Sequence, residues 1–67
     1  MKNVVLDGAR AVKVVVRGIE GSDHVCAITY VTIKGRWFYQ VAVVDELGHE
    51  KADDVMAAKV ASAFRFP

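Results

Sequence analysis

A chain of 67 residues, 54% apolar and 25% charged, has room for one domain over residues 1–67 and too much hydrophobicity for a disordered tail. Its net charge of +1 argues against the basic stripe of most nucleic-acid binders and against the dense negative surface of a DNA mimic. Cys26 is the lone cysteine, so no intrachain disulfide forms, and Cys26, His24 and His49 are too few soft ligands for a structural zinc. A chain this small buries a modest fraction of its surface, so self-association is the expected stabiliser.

The N-terminal MKNVVLDGAR breaks at Asp7-Gly8 before a signal-peptide core forms, and no apolar run approaches the length of a membrane span. With a single free thiol, a reducing cytoplasm is the expected location. Asp7-Gly8 separates two apolar runs and supplies the positive φ values of a type I′ turn. The first strand is expected near residues 3–6 and the second near 9–17, where Val12, Val14 and Val16 alternate with Lys13, Val15 and Arg17. A loop over residues 17–23, rich in glycine, serine and aspartate, is expected to end that strand.

A second hairpin spans residues 25–44 and turns at Lys34-Gly35, where a two-residue loop pairs Ile33 with Arg36, Val31 with Phe38 and Tyr30 with Tyr39, and a three-residue loop shifts these partners. One of its faces carries Val25, Ala27, Val31, Ile33, Phe38, Ala42 and Val44. The other carries Cys26, Ile28, Tyr30, Trp37, Tyr39, Val41 and Val43, so neither face is polar. A turn over residues 45–50 (DELGHE) leads to a helix over 51–64, with Ala52, Val55, Met56, Val60, Ala63 and Phe64 as its apolar stripe and Ala57, Ala58, Ala61 and Ser62 as a small flank. The expected fold is α+β: a small four-stranded antiparallel sheet of two hairpins with one C-terminal helix on one face, in the order ββββα.

One helix covers one face of such a sheet and leaves the other over. An exposed apolar face on a small protein usually marks an interaction site. The expected function is a small non-enzymatic protein-binding module, a homodimeric regulator or inhibitor that docks on a larger protein, of a size and composition common among phage and mobile-element proteins. Tyr30, Arg36, Trp37 and Tyr39 are the candidate partner- or self-binding face, because tyrosine, tryptophan and arginine dominate binding hot spots. The alternative is a nucleic-acid-binding module, with Trp37 and Tyr39 stacking on bases and Lys34 and Arg36 contacting phosphates.

An acidic cluster of Asp45, Glu46, Glu50, Asp53 and Asp54 stands at the helix start. It suits the helix dipole and offers a docking patch for a basic partner. The expected register sets His24 across from Asp45 with Cys26 two residues along, but ~6.6 Å of strand separates the thiol from the imidazole. Cys26 therefore reads as a small buried hydrophobe, and neither a catalytic residue, a metal site nor a cofactor is expected.

Overall fold

The computed structural model describes residues 1–67. Strands β1 (Lys2–Leu6), β2 (Ala9–Glu20), β3 (Asp23–Lys34) and β4 (Trp37–Glu46) precede one helix, α1 (Glu50–Ala63). The strands form a single antiparallel sheet in the order β1-β2-β3-β4, as the ββββα expectation required. No helix is long and apolar enough to cross a membrane.

Each hairpin closes through two residues. Asp7 (φ 48°) and Gly8 (φ 78°) take the two left-handed positions of the first turn, the conformation that Asp-Gly favours. The second turn is tighter than the sequence suggests. β2 continues through Gly18 to Glu20, β3 begins at Asp23, and the expected loop over 17–23 shrinks to Gly21-Ser22. Glycine in a strand weakens it only by a fraction of the ladder's gain, and here Gly18 pairs with Val25 inside a continuous ladder.

The third turn falls at Gly35-Arg36 and not at Lys34-Gly35. Gly35 has φ 63°, the positive value that a II′-type turn demands at its first central position. Lys34 therefore pairs with Trp37, Ile33 with Phe38, Tyr30 with Val41 and Cys26 with Asp45. The register is offset by two residues from the expected one, so every partner changes while every side chain keeps its face.

Alternation divides the sheet into two faces. One carries Leu6, Ala11, Cys26, Ile28, Tyr30 and Thr32, all buried, and α1 lies across it over β3 and β4. The helix does not present the stripe that periodicity alone selects. Asp53, Ala57 and Ala61 are its buried residues, whereas Val55, Met56 and Val60 are exposed. Two causes act together. Small side chains let the helix axis approach the large residues of β3, and the acids flanking that stripe find cations on β2. Asp54 is paired with Lys13, and Glu50 lies 3.8 Å from Arg17.

Beyond the helix the chain folds back over the sheet. Phe64 and Phe66 pack edge-on against Tyr39, with ring centroids 6.1 and 4.8 Å away. The N–H of Phe66 donates to Asp7 Oδ2 at 2.9 Å, tying the C-terminal segment to the first turn.

Candidate interaction site

The geometry divides the residues expected to bind a partner. Tyr30 is only 7% exposed and belongs to the core beneath α1, so it cannot meet a partner without unfolding. Tyr39, on the same face, is half-buried under Phe64 and Phe66. Trp37 and Arg36 remain exposed at the rim of the sheet. Lys34 rests on the ring of Phe66, its Nζ 4.3 Å from the centroid. Of the aromatic and basic platform that base stacking would need, Lys34 and Tyr39 are thus engaged within the chain.

The face left uncovered is the opposite one. It carries Val12, Val14 and Val16 from β2, Ala27, Val31 and Ile33 from β3, and Phe38, Ala42 and Val44 from β4. Ile33, Phe38 and Val44 are 72%, 61% and 60% exposed. Thr29 and Gln40 are its polar interruptions along the middle of β3 and β4, and neither carries charge. At the corner where β1, β2 and β3 meet, the twist of the sheet opens a hollow of about 600 Å³. Val5, Val12, Val31 and Ile33 line it, with Asn3 and Arg10 at its border.

The alternation along β2 leaves open which face the helix covers; the helix takes the side of Lys13 and Arg17 and leaves that of Val12, Val14 and Val16 bare. A usable signal was present: Glu50 and Asp54, one turn apart on the helix, match Arg17 and Lys13, which share one face of β2 two pleat repeats apart. Charge matching of that kind indicates which face the helix takes.

The acidic cluster assembles around the start of α1, as its sequence proximity requires. Its members are largely engaged within the chain. Asp45 Oδ1 accepts the N–H of Glu46 at 2.8 Å, and Asp45 Oδ2 lies 3.3 Å from His49 Nδ1. Glu50 Oε2 accepts the N–H of Gly48, which closes the turn before the helix. Glu46 projects from β4 onto the uncovered face. Asp53 is buried with Oδ2 lacking any hydrogen-bond partner.

That burial sets the electrostatics. Desolvation pushes the Asp53 carboxyl above the ordinary carboxylate range, and the neighbouring Asp45 adds to the effect. Asp45 moves the other way, held down first by the N–H of Glu46 and further by Asp53 and His49. The two acids are therefore tuned apart, Asp53 upward and Asp45 downward. Lys13 is raised by its hydrogen bond to Asp54.

The expected His24–Asp45 pairing does not occur. The shifted register places Asp45 opposite Cys26, and His49 is the imidazole beside Asp45. His24 is exposed, and its carbonyl accepts the N–H of Leu47. Cys26 is buried in the core. No cluster of three or more His, Cys, Asp or Glu side chains is arranged to hold a metal ion.

The fold and the uncovered face define a small α+β protein with an open apolar sheet surface. No family model matches the chain, and no curated protein or solved structure does either.

Proposed function

We propose that the chain is a small non-enzymatic protein-binding module that self-associates through its uncovered sheet face, as a homodimeric regulator or inhibitor of a larger protein. The observation that carries this reading is the apolar face itself, with Ile33, Phe38 and Val44 each more than half exposed on a chain of 67 residues. Water contact with so much contiguous aliphatic surface is unfavourable by roughly 25 cal/mol per Å², and association removes it. In the dimer, the outer side of α1, with Val55, Met56 and Val60 exposed, is the surface left for the larger partner. A nucleic-acid role draws less support, because Phe66 engages both Lys34 and Tyr39.

Light scattering across a range of protein concentrations tests the reading. A mass of twice 7.3 kDa that persists on dilution supports it, and Phe38→Ser shifts that mass toward the monomer. A monomer of 7.3 kDa at every concentration defeats it.

A further inference from the structure

The inference rests on the self-association just proposed and concerns how the two copies are stacked. Charged side chains on the uncovered face stand only at its two ends. Arg10 begins β2 and projects onto this face, and Arg36 occupies the adjoining turn at the same end of the sheet. At the far end, Glu20 closes β2, Asp23 opens β3 and Glu46 closes β4, and alternation directs all three onto the same face. Ten residues of extended chain separate Arg10 from Glu20, about 33 Å at the rise of a β-strand. The intervening surface carries no charged side chain.

We infer that the occupant of this face is a second copy of the same chain, stacked sheet on sheet with its strands antiparallel, so that the Arg10–Arg36 end of each copy lies over the Glu20–Asp23–Glu46 end of the other. Two arguments support the choice. The first is charge. A two-fold axis between the sheets and perpendicular to the strands brings basic ends over acidic ends at both extremities. An axis parallel to the strands stacks like on like and is opposed by repulsion. The second is area. Four strands at ~4.8 Å spacing and ~10 residues at ~3.3 Å rise give a patch of about 600 Å² per copy. Two such patches bury about 1,200 Å², the lower bound for a specific stable interface. Aligned sheets pack about 10 Å apart at about −30°, a separation that arginine and glutamate side chains bridge from opposite sides.

The test uses three full-length variants and sedimentation equilibrium at low and high salt. R10E/R36E makes both ends of the face acidic, and E20K/D23K/E46K makes both ends basic. The third variant combines all five substitutions and restores opposite ends with reversed polarity. All five positions are exposed, and circular dichroism melts confirm that each variant is folded. The expected result is that each half-reversed variant dimerises at least about tenfold more weakly at low salt, with the difference shrinking at high salt. The five-fold variant is expected to dimerise like the wild type. Half-reversed variants with an unchanged dimer constant overturn the antiparallel stacking. In that case Phe38→Ser reports separately: dissociation by Phe38→Ser alone keeps the face and discards only the arrangement. A dimer insensitive to both sets of changes discards the face as well.

Discussion

Replacing Ala57 by leucine probes the contact that decides which sheet face is free. Ala57 is 1% exposed and stands at the centre of the Asp53, Ala57, Ala61 stripe that faces the sheet. Leucine adds three heavy atoms at a buried point that lines neither of the two main hollows, at the β1–β3 corner and beside Lys51. Overpacking of this kind costs about 1–3 kcal/mol. In a domain of this size each kcal/mol lowers Tm by roughly 4–8 °C, so the loss is about 4–24 °C. Ala58 is the matched control, one residue along and exposed, and Ala58→Leu is expected to leave Tm nearly unchanged. The assay is a circular dichroism melt at fixed protein concentration, because any self-association would make Tm depend on concentration. A neutral Ala57→Leu beside a destabilising Ala58→Leu would mean that the helix is rotated about its axis and that the Asp53, Ala57, Ala61 stripe does not face the sheet.

Other substitutions test other parts of the same argument. Asp53→Asn removes a buried carboxyl whose Oδ2 has no partner. Because the folded state raises the pKa of Asp53, the wild type holds that proton more tightly when folded and loses stability as pH rises from the unfolded value through the folded one. Asp53→Asn is therefore expected to melt higher than the wild type at pH 7, with the gap closing at pH values below the ordinary carboxylate range; a lower Tm at pH 7 contradicts this. Gly8→Ala places a Cβ at φ 78°, a left-handed conformation that costs an L-residue about 1–2 kcal/mol. Chemical denaturation with urea reads that loss as a lower midpoint at unchanged slope, and an unchanged midpoint argues against the I′ geometry of the first turn.

Much of this architecture is local in origin and so was legible in the chain. Asp7-Gly8 encodes its own turn, because few other dipeptides populate two left-handed positions in succession. The alternation of Val12, Lys13 and Val14 encodes a strand, and 14 residues of alanine-rich sequence without proline encode α1. Local signals became less certain where two nearby turns were both chemically acceptable. Gly35 serves a turn at 34–35 or at 35–36, and the cross-strand ladder, formed by Tyr30 with Val41 and Cys26 with Asp45, chooses between them.

What the sequence determined by itself is the order of the elements and the fact that the sheet is apolar on both sides. Which side the helix covers was a tertiary decision. Periodicity favours burying Val55, Met56 and Val60, yet the helix buries Asp53, Ala57 and Ala61. The reason is that packing joins two surfaces at once. The small alanine stripe fits closely over Ile28 and Tyr30, and the same rotation brings Asp54 to Lys13 and Glu50 toward Arg17. A one-dimensional pattern records how apolar each face is, but closeness of approach and charge matching between β2 and α1 exist only after the chain has folded. Those long-range matches leave the valines of β2 and Phe38 of β4 facing water, and with them the surface through which the protein is proposed to act.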